Sequence, residues 1–360
     1  MKKILIFGAL ADCDITLGTF LINNGYDVTI ARHQRYQYNH TSKGLVSPLP
    51  NSTQIKYTKK TIDLIKETKK ADLIITFTGS LPLSLHLWWV FKKVLDLPPT
   101  INIPTGSDMS ELINKKKFLS YVYKYVLKSV NINLINPRKD FLQTLNKHNI
   151  KNVSFFRYPH RFLKKNCAVN NFSEIIFFHP TRIDFLSQKK LKQSKGNDIF
   201  FEEFDKALAS GLNAKCYLIE HGKDWKYLQE KTSISKYSNN YIWLKKLRFE
   251  EYVKYMNFAD VIVDQFYVGW MGGIAHEAMS LGKPVLTYVS KASASLLYGS
   301  DLPPILNCNI KKESLCDTLL SCNSKKELLL LGSKGQKWLV RNHGWHICIK
   351  HFNNIINSIS

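Results

Sequence analysis

The chain has 360 residues, 44% of them hydrophobic and 22% charged, which is typical of a globular protein large enough for two domains. No run of about 18 apolar residues occurs, so the sequence excludes a membrane-spanning helix. The residues after Met1 predict a strand instead of a signal peptide. The seven cysteines are scattered without CxxC spacing. We therefore expect a reducing, cytoplasmic compartment, with neither a disulfide framework nor a zinc site.

The formal net charge of +23 has two interpretations. Lysine is spread along the whole sequence, which is typical of solvated side chains and a biased composition. The charge also suits an anionic partner, such as a nucleotide or an acidic membrane surface. We do not expect nucleic-acid binding, because no known module is present and the aromatic residues do not alternate with basic ones in a module pattern.

The first half of the sequence alternates strand and helix patterns, as in a doubly wound α/β domain. Residues 3–9 predict a buried strand with a glycine turn, residues 15–24 a helix, and residues 26–30 the next strand. Residues 31–58 are polar and contain two prolines, which predicts a long loop. Further predicted elements are helices at 59–70 and 138–148, strands at 71–77, 100–103, 131–135 and 153–157, and an amphipathic stretch at 112–130.

The pattern restarts after an irregular basic segment, which divides the sequence into two α/β halves. We expect an N-terminal Rossmann-like domain at 1–160, a linker at 161–173 and a C-terminal Rossmann-like domain at 174–340. A helical stretch at 341–360 completes the chain. The second half has predicted strands at 174–179, 214–220 and 240–243, and predicted helices at 197–210, 224–231 and 248–258.

Residues 260–287 predict a strand, a glycine loop, a helix, a turn and a strand in succession. Gly272 and Gly273 stand where the helix begins, and glycine lets a ligand approach the backbone. A helix N-terminus has unpaired amides and a partial positive charge that suit a phosphate. One turn later, Glu277 could accept two hydrogen bonds from a ribose diol. An ordinary βαβ unit with a solvated glutamate explains the same spacing equally well.

Three features of the sequence occur together: the tandem halves, the stretch from Glu277 to Val285, and Arg182 followed by Lys195 to Asp198. In this combination they resemble the retaining glycosyltransferases of the two-domain GT-B fold, in particular the large group 1 family, also called family 4. Specific motifs of the family occur only within residues 177–285. The rest of the chain resembles the family only in its order of predicted strands and helices. The resemblance implies two Rossmann-like domains facing a cleft, with the C-terminal helix packing on the N-terminal domain.

The resemblance also implies a donor site for a UDP-sugar or a GDP-sugar in the C-terminal domain. Glu277 would hold the ribose hydroxyls, while Arg182 and Lys195 would neutralise the departing diphosphate, with no metal ion or cofactor required. The amides that would face the diphosphate are those of Gly272, Gly273 and Ile274, and the backbone that would meet the base belongs to Trp243 and Leu244.

The sequence departs from the E-x7-E pattern of the family at the first glutamate, where it has Gly269. The role of that glutamate, near the donor sugar, is either lost or taken by Asp264. On the acceptor side, Thr105 to Asp108 stand where family members often carry a His-Gly-Thr-Asp type sequence. Asp108 and His86 are the candidate acceptor-side residues, although a helix cap and a packed histidine explain them equally well.

These features predict a retaining hexosyltransferase that acts on a glycan or a polyprenyl-diphosphate-linked acceptor in surface polysaccharide or glycoconjugate biosynthesis. The basic and aromatic stretch from Lys115 to Leu127, with Trp88 and Trp89, suits peripheral binding at the inner face of the cell membrane. The alternative for that stretch is a core-packed helix with a lysine-rich face. Two other functions stay open: a GT-B sugar-nucleotide 2-epimerase and a catalytically silent GT-B partner subunit.

Overall fold

The computed structural model describes residues 1–8, 13–33, 54–58, 66–77, 96–104, 113, 118–165, 172–185 and 195–359. These residues form two compact units. Unit 1 contains the described residues up to Pro159 together with those from Gly344 onward, and unit 2 contains those from His160 to His343.

Unit 1 is built on a parallel sheet with the strand order β3-β2-β1-β4-β5-β6-β7. The strands are β1 (Lys3–Phe7), β2 (Asp27–His33), β3 (Gln54–Thr58), β4 (Leu73–Thr76), β5 (Thr100–Asn102), β6 (Ile132–Ile135) and β7 (Val153–Phe155). The strand order reverses where β1 pairs with β4, at the register Ile4 to Leu73. A reversal of this kind is the feature that defines a doubly wound sheet.

Helices cover both faces of this sheet, which explains why β4 is buried along its whole length. The described helices of unit 1 are α1 (Cys13–Ile22), α2 (Phe118–Ser129), α3 (Lys139–His148) and a C-terminal helix (Trp345–Ile359). Leu73 and Ile75 pack with α1 and the C-terminal helix on one face. Ile74 packs on the other face, with Val126 of α2.

The C-terminal helix belongs to the core of unit 1. Its buried face is formed by Cys348, Phe352, Ile355 and Ile356. Trp345 meets the ring of Phe20 edge to face, with ring centroids 5.7 Å apart, and Asn353 accepts a 2.6 Å hydrogen bond from the hydroxyl of Tyr26. The expected packing of this helix on the N-terminal domain is therefore confirmed.

Unit 2 repeats the architecture with a parallel sheet in the order β10-β9-β8-β11-β12-β13. Its strands are β8 (Ile175–His179), β9 (Ala214–Ile219), β10 (Tyr241–Leu244), β11 (Val261–Val263), β12 (Val285–Thr287) and β13 (Leu306–Asn307). The described helices are α4 (Asn197–Ala209), α5 (Trp225–Ser233), α6 (Phe249–Phe258), α7 (Gly273–Ser280), α8 (Lys291–Tyr298), α9 (Leu315–Leu320) and α10 (Lys325–His343).

Strand β8 shows why the second half of the sequence folds in this way. All of its residues are buried, and consecutive side chains point to opposite faces of the sheet. Phe177 packs with Phe200 of α4 in one core, while Phe178 packs with Tyr252 of α6 in the other. A continuous apolar run is what a parallel strand covered on both faces requires.

The structure differs from the sequence-based prediction at residues 31–58, which were expected to form a long loop. Strand β2 continues to His33, and β3 pairs with it in parallel along Gln54 to Thr58. Residues 54–58 alternate polar and apolar or aromatic side chains, which is a strand pattern. The two prolines at 48 and 50 obscured this pattern because they favour a turn or loop in the preceding sequence.

Within the described ranges, no helix is both long enough and apolar enough to cross a membrane.

Candidate functional site

The start of helix α7 is fixed by a carboxylate on the preceding loop. Asp264 follows β11 directly, is 1% exposed, and accepts a 2.7 Å hydrogen bond from the backbone N–H of Gly272. A Cβ added at Gly272 would lie 2.8 Å from that carboxylate, so the approach requires glycine. Asp264 therefore holds the loop against the first turn of the helix.

The first residue of α7 faces open space. A Cβ placed on Gly273 would meet no described atom within 4 Å, whereas the side chain of Ile274 is buried in the core. The first amides of a helix lack partners within the helix and carry partial positive charge. The exposed start of α7 at Gly273 is thus open to an anionic ligand. Ile274 has no side-chain atom to offer such a ligand and could contribute only its backbone N–H.

Glu277 lies one turn into α7 and is bonded to a tyrosine of the neighbouring helix. The hydroxyl of Tyr252 donates a 2.6 Å hydrogen bond to Oε2 of Glu277. Burial, together with the charge of Glu277, raises the pKa of Tyr252 well above its usual value, so this phenol stays protonated. A carboxylate has about four acceptor positions, and Tyr252 fills one of them.

Lys195 is tied to the loop between β11 and α7. Its ammonium donates to Oε1 of Gln265, and its carbonyl accepts a 2.9 Å hydrogen bond from the N–H of Phe266. Gln265, which is 4% exposed, donates in turn to the carbonyl of Trp270 over 2.7 Å. The structure therefore places Lys195 beside the loop that precedes α7, with Gln265 linking the two. The sequence analysis did not identify Gln265 as part of the site.

Arg182 follows the end of β8 and is 42% exposed. Its Nε lies 3.0 Å from Oδ2 of Asp184, whose other oxygen accepts a 2.7 Å hydrogen bond from the N–H of Lys223. Strands β8 and β11 are parallel neighbours. Because both chain segments leave the same edge of the sheet, Arg182 and the loop before α7 belong to the same edge.

A buried neutral network joins the segments that carry Arg182 and Lys195. The Nδ1 of His179 lies 3.0 Å from the hydroxyl of Thr181, and Nδ2 of Asn197 lies 3.3 Å from Nε2 of the same ring. Burial lowers the pKa of His179 to about 4, so the ring is neutral near pH 7. The sequence prediction missed this network, although a histidine that ends an apolar strand was its visible signal.

Trp243 and Leu244 lie in β10. The indole of Trp243 donates a 3.1 Å hydrogen bond to the hydroxyl of Thr232 and packs against the core of unit 2. The carbonyl of Leu244 accepts a 2.9 Å hydrogen bond from the N–H of Glu220. The carbonyl of Leu244 is therefore still engaged with the neighbouring chain segment, and the backbone leaves the strand at Lys245.

Gly269 differs from a glutamate in more than its side chain. Its φ is +68°, in the left-handed region that residues other than glycine rarely adopt. Its carbonyl accepts a 3.0 Å hydrogen bond from Ser290, and an added Cβ would lie 3.3 Å from the ring of Tyr288. The backbone of this loop is thus adapted to glycine. The other predicted residues, His86 and Asp108, lie outside the described residues.

No profile of a known protein family matches this sequence, and comparison with curated protein sequences gives no significant match. Solved structures do match over nearly the whole chain. HepE from Anabaena, solved with UDP-glucose, has 11% identity and a TM-score of 0.71, covering 99% of this chain and 100% of that one. A TarM variant from S. aureus, solved with fondaparinux, alpha-GlcNAc-glycerol and UDP, has 12% identity and a TM-score of 0.65 over 99% of this chain and 100% of its own.

The lipopolysaccharide outer core galactosyltransferase WaaB has 12% identity and a TM-score of 0.60, covering 99% of both chains. Each of these chains is matched over at least 99% of its length. At such low identity, the likeness establishes the fold. With its two parallel sheets and its returning C-terminal helix, the chain has the GT-B fold of two-domain glycosyltransferases.

Proposed function

We propose that the chain is a glycosyltransferase that moves a sugar from a nucleoside-diphosphate donor to a glycan or lipid-linked acceptor. The observation that carries this proposal is the first turn of α7. The helix start at Gly273 is open to a ligand, and Glu277 follows one turn later, hydrogen-bonded to Tyr252. A helix N-terminus suits a diphosphate, and a carboxylate suits a ribose diol. The UDP and UDP-glucose in the HepE and TarM structures support this reading.

The proposed mechanism places positive charge where the leaving group becomes negative. As the bond between the anomeric carbon and the phosphate oxygen breaks, charge builds on the diphosphate. Lys195 and Arg182 would stabilise that charge together with the amides of α7, without a metal ion or cofactor. The acceptor oxygen would bond to the anomeric carbon on the same face, its proton passing to the departing phosphate oxygen. The anomeric configuration would then be retained.

The sugar end of the donor site would differ from the usual pattern. Gly269 has no carboxylate, and Asp264 already accepts the N–H of Gly272. We propose that the donor sugar is contacted by other groups, so that the nucleotide end of the site is conventional and the sugar end is not.

A thermal-shift screen with UDP-, GDP- and CMP-nucleotides tests the proposal. We expect a uridine or guanosine diphosphate to raise Tm by several degrees, and Glu277→Ala to abolish the shift. Glu230→Ala, which removes an exposed glutamate from α5, should leave it intact. Conversion of the nucleotide sugar without an acceptor would favour the epimerase. The absence of any nucleotide binding would favour the silent partner subunit.

We also propose that the acceptor is a polyprenyl-diphosphate-linked glycan reached at an anionic membrane face. Helix α2 exposes Phe118, Tyr121 and Tyr125, with relative exposures of 67%, 67% and 44%. Lys124, Lys128 and Lys147 lie close by. Burial is the largest cause that lowers the pKa of His148, and the charges of these three lysines lower it further. Exposed aromatic residues beside lysines suit the headgroup region of an anionic bilayer.

Flotation with vesicles tests this surface. Phosphatidylglycerol vesicles should carry the protein, and pure phosphatidylcholine vesicles should not. The double variant Tyr121→Asp with Lys128→Glu should lose binding. The matched control, Leu329→Asp with Lys326→Glu, makes the same changes in charge at exposed residues of α10 and should retain binding. Equal flotation of the two variants would remove α2 as the membrane contact.

A further inference from the structure

Three histidines from three separate segments of unit 2 meet at one point. His160 is the first described residue of unit 2 and His343 the last, while His276 lies in α7 beside Glu277. One ring nitrogen of each lies within 4.8 Å of the others. His276 and His343 are each 2% exposed, and His160 is partly buried. We call these residues the histidine cluster.

The rings are in direct contact. His160 and His276 stack with centroids 3.5 Å apart and planes 16° from parallel. His343 meets His276 at 4.9 Å and His160 at 5.3 Å. The cluster is therefore a contact among imidazoles themselves, and its three ligand atoms are all nitrogen.

His276 has the bonding of a metal ligand. Its Nδ1 lies 2.9 Å from the carbonyl oxygen of Gly272, so Nδ1 carries the proton and donates it. Its Nε2 then has a lone pair. That atom is buried and has no hydrogen-bond partner among the residues that the structure describes. A ring that donates one N–H to a carbonyl and keeps the other nitrogen as an acceptor is the usual state of a metal-bound histidine.

Burial disfavours the charged form of two of the three rings. Burial lowers the pKa of His276 to about 4. Burial, together with the repulsion that a second protonated ring in the cluster would cause, lowers the pKa of His160 well below its usual value. On His343, Nε2 lies 2.8 Å from the buried hydroxyl of Tyr298, an outer contact of the kind that fixes ring orientation at metal sites. Neutral imidazole is the form that binds a metal ion.

We propose that His160, His276 and His343 form a binding site for a divalent transition-metal ion, with Zn²⁺ as the expected occupant. A set of three nitrogen ligands favours Zn²⁺ and its first-row neighbours over Mg²⁺ and Ca²⁺, which prefer oxygen. Zn–N bonds of about 2.0–2.1 Å require nitrogens roughly 3.4 Å apart. The stacked rings must therefore open, and His160, the least buried, is the ring that turns.

The ion would join both ends of unit 2 to α7, the helix that begins directly after Gly272 and carries Glu277. It would stabilise this helix and would take no part in the departure of the diphosphate. The site is defined by its three imidazoles alone, so metal binding can be measured without a nucleotide and stands separately from the proposed function.

The test uses the full chain, free of any histidine tag and stripped with a chelator. Calorimetry with ZnCl₂ should show one ion per chain, and Co²⁺ should give visible d–d absorption bands. His160→Gln should weaken Zn²⁺ binding about 10-fold or more and remove the Co²⁺ bands. His346→Gln, which changes an exposed histidine outside the cluster, should leave both unchanged.

His276→Gln is the second variant, and circular dichroism of each variant confirms that it is folded. Because His160 is the least buried member, His160→Gln keeps the proposal testable if His276→Gln does not fold. Absence of Zn²⁺ uptake by the unmodified chain would overturn the proposal, and so would equal affinity of His160→Gln and His346→Gln. The imidazoles would then serve only in packing.

Discussion

The hydroxyl of Tyr252 donates a 2.6 Å hydrogen bond to Oε2 of Glu277. The two residues lie 25 positions apart in the sequence, on α6 and α7. Tyr252 is 1% exposed, so its ring cannot turn away without disturbing the core. The carboxylate that we assign to the ribose is thus oriented from inside the protein.

Tyr252→Phe should weaken nucleotide binding while the fold is kept. Loss of a hydrogen bond to a charged group is worth about 1.5–3 kcal/mol, and partial replacement by water reduces this, so we expect Kd to rise roughly 10-fold. Calorimetric titration measures the change. Tyr255→Phe, on the same helix and partly buried, is the matched control. Equal affinity of the two variants would show that Tyr252 does not orient Glu277.

Glycine substitutions should separate stability from binding. Gly269→Ala places a side chain at a φ of +68° and should lower the free energy of unfolding by about 1–2 kcal/mol. Gly273→Ala adds a methyl group in open space at the start of α7, so stability should be kept while nucleotide affinity falls. Urea denaturation and calorimetry measure the two quantities. A stability loss at Gly273 as large as that at Gly269 would contradict this division.

Lys195→Met should act on the chemical step. Charge on the leaving diphosphate is largest in the transition state, so kcat should fall about 10²-fold, with a smaller change in KM. Gln265→Leu removes the side chain that accepts from Lys195 and should lower kcat in the same direction. Lys245→Met, which changes a lysine that is 91% exposed, is the control. Unchanged turnover by Lys195→Met would exclude this lysine from the leaving-group site.

Stability should fall as the pH is lowered from about 6.5 toward 4, in part through His179. The pKa of His179 in the folded chain is lowered to about 4 by burial, against about 6.5 in the unfolded chain. Between these values the unfolded state binds more protons, so acid favours unfolding. The contribution is fully present above pH 6.5 and amounts to at most roughly 3 kcal/mol.

Urea denaturation across this pH range measures the effect. In His179→Gln, the free energy of unfolding should depend less steeply on pH than in the unmodified chain, because glutamine does not titrate. The difference in slope corresponds to the uptake of up to one proton on unfolding. His346→Gln, at an exposed position, should not. An unchanged slope in His179→Gln would show that this ring is protonated as readily in the folded chain as in the unfolded one.

Much of the fold follows from local sequence patterns. Apolar runs at residues 174–179 and 261–263 predicted buried strands, and the structure confirms them as Ile175–His179 and Val261–Val263. Strand β3 was missed because nearby prolines favoured a loop. The predicted helical stretch at 341–360 covers parts of two helices, because α10 ends at His343 and the C-terminal helix begins at Trp345. Periodicity alone does not show such a break when both helices are amphipathic.

The site was only partly predictable for the same reason. The glycine loop and Glu277 lie within one short stretch, where spacing carries the signal. The partners come from distant segments, since 70 positions separate Lys195 from Gln265. The members of the histidine cluster likewise come from three separate segments of the sequence. Contacts of this kind depend on the packing of the sheet and its helices, which a single sequence does not display.

The central claim is that the first turn of α7 binds a nucleoside diphosphate, and calorimetric titration of Glu277→Ala tests it most directly. The nucleotide selected by the thermal-shift screen should bind the unmodified chain and Glu230→Ala with the same Kd. Its affinity for Glu277→Ala should be lower by about 10-fold or more, because two hydrogen bonds to a carboxylate are lost. An unchanged Kd in a folded Glu277→Ala variant would contradict the assignment of this helix to the donor.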